Sequence, residues 1–228
     1  MVSKALNTKV KKSNPFWYKL KQNKMTLVGI VILLLIVLLA ILVPSLSPYD
    51  PNKVELVNKF QPPSASHWFG TDEVGRDIFT RIFYGAILSL GLGILIIFVA
   101  ALIGIIIGSI SGYIGGIVDT IIMRLVDMVL AFPSLILAMS LAAVLGPNIQ
   151  NAMLAIAIEK VPVYIRLARA ESLSLKEKLF VKSAETFGIN KMLIIIKHII
   201  PNAISPVIIQ ATLDIGDTIL LIATLGFL

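Results

Sequence analysis

Long apolar intervals without charge alternate with short polar intervals along this chain. From residue 25 to residue 43 no side chain is charged, and a helix of that length, rising ~1.5 Å per residue, nearly crosses the ~30 Å hydrocarbon core of a bilayer. The same pattern recurs further along the chain. It predicts membrane spans over about 25–43, 85–111, 117–145, 149–166 and 201–225. The predicted fold class is therefore an all-α polytopic membrane protein with about five transmembrane helices.

Prolines and glycines indicate where these spans end, bend and pack. Pro44 and Pro48 are predicted to end the first span, and Pro133 is predicted to kink the third. In the second span, Gly104, Gly108 and Gly112 recur every four residues. Small residues on one helical face let helices approach closely in lipid, where association depends on packing. We therefore expect a packed bundle of helices rather than a single anchor.

The composition agrees with a membrane protein and excludes several kinds of site. Hydrophobic residues make up 57% of the chain and charged residues 14%, whereas soluble domains are about a quarter charged. The absence of cysteine excludes disulfides, thiol nucleophiles and cysteine-ligated metals. The net charge of +7 is explained by basic cytoplasmic segments in contact with a lipid bilayer. No nucleic-acid partner is expected, because no basic stripe interleaved with aromatic residues is present.

The distribution of charge predicts the topology. The tail over residues 1–24 carries seven lysines and no acidic residue, and the interval 166–197 also has a basic excess, whereas the charges of the interval 44–84 nearly balance. Basic residues mark the cytoplasmic side of a membrane protein. We therefore predict four parts. They are a cytoplasmic tail (1–24), a first transmembrane helix (25–43), an extracytoplasmic loop (44–84) and a transmembrane core (85–228) with a cytoplasmic loop at 171–201.

The predicted outer loop contains a dense polar run with paired carboxylates. Its notable residues are Gly70, Asp72, Gly75, Arg76 and Asp77. Two carboxylates could serve acid–base chemistry or hold a divalent ion. No third ligand or nucleophile pattern accompanies them, so a hydrogen-bonded, salt-bridged turn that sets the direction of the next span is the favoured interpretation.

Ionisable residues also lie within or beside the predicted spans, where they are functional candidates by default. They are Asp119, Arg124, Asp127, Glu159, Asp214 and Asp217. Arg124 and Asp127 are three residues apart and are predicted to pair on one helical face. Glu159 and Lys160 are adjacent, hence ~100° apart around a helix, and are not expected to pair. Asp214 and Asp217 could form a cation or proton site, cap a helix break or meet a partner subunit.

The stretch from residue 173 to residue 202 is the most structured polar interval. A first helix is predicted from about 175 to 187, ending at Gly188, because glycine most easily takes the left-handed conformation that closes a helix. A second is predicted from about 191 to 200, with Asn190 as its N-cap and an end just before Pro201. A helix, a sharp turn and a second helix between two spans suggest a docking element, although an ordinary solvated loop can contain the same helix-starting and helix-ending residues.

Motifs of catalysis and nucleotide binding are absent from the chain. There is no GxxxxGK[ST] phosphate loop, no GxSxG elbow and no HExxH sequence. The sequence gives little support to an enzyme, and we expect no cofactor or metal in this chain. If the bundle pumps, its energy must come from a partner that acts on the cytoplasmic loop.

Several long segments, in order, resemble the inner-membrane permeases of ATP-binding-cassette importers of the dipeptide, oligopeptide and nickel class. These segments are HWFGTDEVGRDIFTRIFYGA, GYIGGIVDTIIMRLVDMVLAFPSL and VPVYIRLARAESLSLKEKLFVKSAETFGINKMLIIIKHIIPNAISPVII. The resemblance covers about residues 15–228 and is to the second, C-type permease of the pair.

The resemblance implies a mechanism and a set of partners. A homologous second permease would share the translocation path, two cytoplasmic ATPase subunits would bind the ATP, and an external solute-binding protein would deliver substrate. The location implied is the bacterial inner membrane, with a cytoplasmic N-terminus. The implied ATPase-coupling residues are Lys182, Ser183, Ala184, Phe187, Gly188 and Pro201.

Two departures from the family pattern leave other interpretations open. The family usually has a glutamate and two alanines where this chain has Lys182, Ser183 and Ala184, so the ATPase surface near Lys182 is expected to be acidic or neutral. The family also usually continues into a sixth span, so a fragment, a truncated product or a shortened permease is expected. The alternatives are an ion- or proton-coupled secondary transporter and a remnant that does not transport.

Overall fold

A computed structural model describes residues 23–226, and helices form nearly all of this part. In order they are α1 (Lys24–Leu46), a 3-10 turn (Leu56–Asn58), α2 (Ile78–Ile114), α3 (Gly116–Leu130), α4 (Ser134–Leu145), α5 (Ile149–Lys176), α6 (Leu179–Thr186), α7 (Lys191–Ile194), a π-helical turn (Ile195–Ile199) and α8 (Ile200–Leu225). Contacts divide the chain into two units, one up to Ile87 and one from Leu88 onward. The all-helical class predicted from the sequence is confirmed.

The first unit contains an apolar helix with mostly exposed side chains, α1, and a folded polar loop. The side chain of Asn23 caps α1 by accepting from the Thr26 backbone N–H, and only Ala40 of the helix is buried. The helix passes through Pro44 and ends at Leu46, between the two prolines predicted to end it, Pro44 and Pro48. Proline so near the end removes a single backbone bond, and only the last turn has to tolerate the loss.

In the second unit, the three glycines of α2 lie against the backbone of α5. A Cβ atom added to Gly104 would come within 2.2 Å of the Tyr164 Cβ, and one added to Gly108 within 2.4 Å of the Ile165 carbonyl oxygen. At Gly112 the corresponding distance to the Arg169 carbonyl oxygen is 2.7 Å. No side chain larger than hydrogen fits at these distances. The close helix approach predicted from the glycine spacing is confirmed.

The predicted third span is broken rather than kinked. Helices α3 and α4 are bent by 92° relative to each other, with Ala131, Phe132 and Pro133 between them. Proline lacks the backbone donor and disfavours helical geometry at the residue before it, so the chain takes an extended conformation at Pro133 before α4 starts.

Three of the described helices are long and apolar enough to cross a membrane, Lys24–Leu46, Ile78–Ile114 and Lys191–Leu225, or four spans if α3 and α4 together make one. The predicted fourth span is helical but belongs to the longer α5, which passes through Pro162 and carries several charges. Judged by length and apolarity, the described residues therefore contain three or four spans and not the five predicted.

The core of the second unit consists of small clusters along α5 and α8. Tyr164 and Val207 belong to one cluster, and Ile156 and Leu225 belong to another. The residue numbers rise along α8 as they fall along α5, so the two helices are antiparallel. A third cluster surrounds Tyr113 and includes Val181, Ala184 and Ile194 of the stretch from residue 173 to residue 202.

The glycine contact gives a stability prediction with a control on the same helix. Gly108→Ala should lower the free energy of unfolding of the detergent-solubilised protein by ~1–3 kcal/mol, because the added methyl overlaps the backbone of α5. Gly91→Ala has open space around its Cβ and should be neutral or stabilise by up to ~1 kcal/mol. Thermal unfolding followed by tryptophan fluorescence measures both. Equal behaviour of the two variants would contradict the contact.

Candidate functional site

The stretch from residue 173 to residue 202, predicted to be a docking element, contains the short helix α6, which has a well-defined end. Its last turn closes with two backbone bonds, from Gly188 N–H to the Glu185 carbonyl (2.9 Å) and from Ile189 N–H to the Ala184 carbonyl (3.1 Å). Gly188 has φ +74°, the left-handed conformation that this Schellman end requires. The predicted stop at Gly188 is confirmed. The helix starts at Leu179 rather than near 175, because α5 itself extends to Lys176.

The second predicted helix does not end before Pro201. Asn190 caps α7 as predicted, accepting from Met192 N–H, but the helix then passes through a π turn into α8. Within this turn Ile200 N–H donates to the Ile195 carbonyl, and the Asn202 side chain donates to the His198 carbonyl at 2.7 Å. The wider π turn immediately before it accommodates Pro201, which lacks an N–H, so the helix continues.

One face of α6 is fixed to the rest of the second unit. Val181 and Ala184 are buried with Tyr113, Ile194 and the π turn. These contacts bury the stripe that an amphipathic helix of this length needs, since isolated helices so short are unstable in water. The helix therefore behaves as part of the bundle and not as a free loop.

Polar contacts hold the same helix to the end of α2. The Tyr113 hydroxyl donates to Glu185 Oε1 at 2.7 Å, and the Lys176 ammonium donates to the Tyr113 carbonyl at 2.8 Å. The Lys176 ammonium also lies 5.5 Å from the centre of the Tyr113 ring. Tyr113 thus joins α2, the end of α5 and α6 at one point.

The opposite side of this element is exposed and carries an apolar residue at each end. Leu179 and Phe187, at its two ends, are 84% and 83% exposed. Lys182 and Ser183 are exposed between them, and Lys182 forms an ion pair with Glu177 at 2.5 Å. The hydrogen bond from Lys182 lowers the pKa of the Glu177 carboxyl from its usual value. The positive charge that departs from the family pattern is therefore balanced within the chain.

Two ion pairs link α3 to α5. Arg169 holds Asp119 with two hydrogen bonds, 2.5 Å and 2.6 Å long, and Ser111 donates to the same carboxylate at 2.6 Å. Arg166 pairs with Asp127 at 2.6 Å. The predicted pairing of Arg124 with Asp127 was wrong.

The arginine of the neighbouring helix competes successfully for Asp127, and Arg124 makes no ion pair among the described residues. An ion pair between two helices forms only when tertiary packing brings the helices together. The spacing of residues in the sequence gives no information about that packing.

The paired carboxylates of the predicted outer loop form a hydrogen-bonded turn, as favoured. Asp72 accepts from the backbone N–H groups of Val74 and Arg76 and from the Arg76 side chain. Asp77 accepts from the N–H and hydroxyl of Thr80 and is 3.0 Å from His67 Nδ1. The carboxylate oxygens are occupied by donors of the chain itself.

The glycines of the outer turn have a steric role. Gly70 (φ +74°) and Gly75 (φ +80°) both take the left-handed conformation. A Cβ at Gly70 would lie 2.4 Å from the Gln61 carbonyl oxygen, and one at Gly75 would lie 1.8 Å from the Glu55 carbonyl oxygen. Both the conformation and the space therefore require glycine.

The polar residues deeper in the second unit gather between α5 and α8. The Tyr164 hydroxyl donates to Asp214 Oδ2 at 2.6 Å, and the Gln210 side chain donates to Asp214 Oδ1 at 3.0 Å. Glu159 and Lys160 are both buried, and their charges are 3.7 Å apart. The expectation that these neighbours do not pair was wrong, because long side chains turn toward each other when burial removes the solvent alternative. Asp217 is exposed.

A family model for the inner-membrane component of binding-protein-dependent transport systems matches residues 104–228. The chain belongs to this family. A second model, for the N-terminal transmembrane domain of oligopeptide transport permease C, matches residues 15–63. The chain is therefore a C-type permease subunit and a multi-pass membrane protein.

Curated relatives of this permease cover most of its length. A probable D,D-dipeptide permease, DdpC of Escherichia coli (strain K12), is 47% identical over 92% of this chain and 71% of its own. The dipeptide permease DppC of Alkalihalophilus pseudofirmus is 47% identical over 92% and 69%. The glutathione permease GsiD of Escherichia coli O157:H7 is 39% identical over 93% and 71%.

Several residues that organise the permease were not selected from the sequence. They are Tyr164, Arg166, Arg169, Lys176 and Glu185. Tyrosines and lysines beside a predicted loop are common in membrane proteins, so no local signal separated these from their neighbours. Their partners lie on other helices, which only the tertiary packing brings together.

The outer turn gives a prediction about pH. Burial would raise the pKa of Asp77, but hydrogen bonds from Thr80 and the contact with His67 outweigh it and hold that pKa below its usual value. A lowered carboxyl pKa adds stability above the unfolded value of ~3.9, and that stability is lost as the pH falls through the folded value.

Asp77→Asn should therefore lower the free energy of unfolding by ~1–3 kcal/mol at neutral pH. The gap between the variant and the original protein should close as the pH falls through the lowered pKa of Asp77 in the folded protein, below which both carry an uncharged side chain. Unfolding midpoints measured at several pH values test this. A gap that is constant over the whole range would refute the ionised contact.

Proposed function

We propose that this permease takes up dipeptides or other short peptides as one half of the translocation path of an ATP-driven importer in a bacterial inner membrane. Its partners would be a homologous second permease, two cytoplasmic ATPase subunits and an extracytoplasmic solute-binding protein. The N-terminus would be cytoplasmic. The chain itself would bind no ATP, metal or cofactor and would catalyse no reaction.

The observation that carries this proposal is the rigid mounting of α6. A short helix with exposed apolar residues at its two ends, Leu179 and Phe187, is fixed on its other face by the Tyr113 cluster. A partner that moves such a helix moves the helices bonded to it as one body. Because Tyr113 lies at the end of α2 and Lys176 at the end of α5, movement of α6 would reach both long helices.

The substrate class rests on the relatives. Three of them are named for the transport of D,D-dipeptides, dipeptides and glutathione, and all three kinds of molecule are short peptides with both an ammonium group and carboxylates. Identity of 47% over nearly the whole chain favours a dipeptide substrate for this permease. Oligopeptides remain within the proposal, whereas nickel, also expected from the resemblance, has no support from these names.

The proposal is tested by purifying the permease with its candidate partners and placing the complex in proteoliposomes. We expect the ATPase subunits to co-purify, and labelled alanyl-alanine to be taken up only with ATP, Mg²⁺ and the binding protein present. Uptake by the permease alone, driven by a proton or sodium gradient, would instead support the secondary transporter. Assembly without any transport would favour the remnant.

The closing glycine of α6 gives a prediction with a matched control. Gly188 has φ +74° and open space around its Cβ, so a substitution there acts through the backbone alone. Gly188→Val should cost about 1–2 kcal/mol locally. It should leave ATP hydrolysis in place while reducing peptide uptake several-fold. Gly188→Asn, which tolerates the left-handed conformation, should keep most of the uptake.

The ratio of peptide taken up to ATP hydrolysed is the quantity to compare between these two variants. Membrane insertion should be the same in both, as judged by the amount of permease recovered from membranes. If Gly188→Val transports as well as Gly188→Asn, the geometry of this turn has no part in coupling.

A further inference from the structure

We propose that a cavity in the first unit, where α1 meets the folded polar loop, binds one acyl chain of a membrane phospholipid. The cavity has a volume of about 560 Å³, within the range of pockets that hold small molecules. All of its walls belong to residues between positions 39 and 80. The site does not depend on which solute the permease transports.

One wall of the cavity is a single face of α1. Its four residues are spaced three or four apart or directly adjacent, which places them in one stripe along the end of the helix. They are Leu39, Leu42, Val43 and Leu46. The rings of Trp68 and Phe79, with centres 4.9 Å apart in an edge-to-face contact, form another part of the wall. These walls offer aliphatic and aromatic surface to a ligand.

The polar side chains at the cavity are already bonded within the chain. The Thr80 hydroxyl donates to Asp77 Oδ2 at 2.7 Å, and Ser47 Oγ lies 2.6 Å from Thr80 Oγ1. Asp77 Oδ1 lies 3.0 Å from His67 Nδ1, and the Tyr49 hydroxyl donates to a carbonyl of the loop at 2.9 Å. Because these bonds satisfy the polar part of the wall, a ligand gains affinity here from apolar contact rather than from hydrogen bonds.

Hydrocarbon suits a cavity with these walls better than water does. An ordered water needs two to four polar partners, whereas apolar wall atoms gain dispersion contacts from any apolar group that fits against them. A cavity of ~150 Å³ lined by leucine, isoleucine and phenylalanine binds benzene. A cavity of about 560 Å³ therefore has room for a longer hydrocarbon chain.

The bilayer supplies such a chain at this position. Helix α1 is long and apolar enough to cross a membrane, and two of its residues in the cavity wall, Leu42 and Leu46, are 41% and 77% exposed. Trp68, which is also exposed, is a residue type enriched where hydrocarbon meets water. An acyl chain therefore reaches the cavity from the bilayer without crossing water, while its headgroup stays beside the polar loop.

A helix of a partner subunit fits the cavity less well than an acyl chain. A cylinder ~10 Å wide and one helical turn (~5.4 Å) long occupies about 420 Å³, so the cavity holds little more than one turn of a helix. An acyl chain is narrower and bends freely, so it fills a short cavity that a rigid helix does not.

The experiment measures the binding of one phospholipid to the purified full-length permease in detergent micelles. The probe is phosphatidylcholine with bromine atoms in its acyl chains, which quench tryptophan fluorescence on contact. Trp17→Phe makes Trp68, in the cavity wall, the sole tryptophan. We expect quenching to saturate while the probe is still a minor component of the micelle, because a site saturates and random contact does not. Quenching that rises in proportion to the probe, without saturation, overturns the site.

Two further substitutions, made in the Trp17→Phe protein, fill the cavity, and a matched control does not. Val43→Phe acts from α1 and Ala65→Phe from the loop. Each should raise the probe concentration for half-maximal quenching about tenfold, because the added ring occupies volume that the chain would fill. Val31→Phe, the same change at an exposed position of α1 before the cavity wall, should leave that concentration unchanged. The two cavity variants act from different walls, so a folding defect in one leaves the other as a test. Equal concentrations in the control and in the folded cavity variants overturn the proposal.

A second measurement separates a lipid chain from a partner helix. The same titration is repeated on the permease assembled with its candidate second permease, in which every tryptophan has been replaced by phenylalanine. Saturable quenching that persists, with the same response to Val43→Phe, supports the acyl chain. Saturable quenching that disappears on assembly shows that protein covers the cavity and overturns the proposal.

Discussion

The close contact between α2 and α5 is the constraint on which the rest of the second unit depends. Backbones approach at Gly104, Gly108 and Gly112 to distances that no other residue allows. In lipid, apolar surface gives little drive for helices to associate, so van der Waals contact between backbones and hydrogen bonds between helices must do it. Ser172 adds such a bond, donating to the Ser109 carbonyl at 3.0 Å. Three further contacts depend on this close packing of α2 against α5.

Each of the three contacts uses a residue at one level of the α2–α5 contact. Tyr164 lies opposite Gly104, and its hydroxyl then reaches Asp214 on α8. Arg169 lies opposite Gly112, and its guanidinium then reaches Asp119 on α3. Lys176 lies one to two turns further on and reaches the end of α2 at Tyr113. The glycine face of α2 thus positions the charged side chains of α5 beside their partners. On an isolated helix in a membrane, the same charges would cost free energy without any compensating contact.

The sequence allowed the helices, the glycine face, the Gly188 stop and the Asn190 cap to be predicted, because each depends on residues within one or two turns. It did not allow the partners of Asp119 and Asp127 to be predicted, since these arginines come from a helix some forty to fifty residues later. Pro201 failed as a stop signal for a related reason. A local rule holds that proline ends helices, but the π turn over Ile195–Ile199 carries the helix past Pro201.

The difference between what a local sequence pattern predicts and what tertiary contacts show also applies to Lys182. Judged against the family pattern, a lysine there suggests a changed partner surface, because a groove that suits glutamate repels a cation. The ion pair with Glu177 alters that inference, since the pair presents both signs within one turn and has little net charge. Exposed pairs of this kind are weak, ~0–1 kcal/mol, so a partner could open the pair at small cost. The requirement on the partner near Lys182 is then a matter of shape at Leu179 and Phe187 more than of charge.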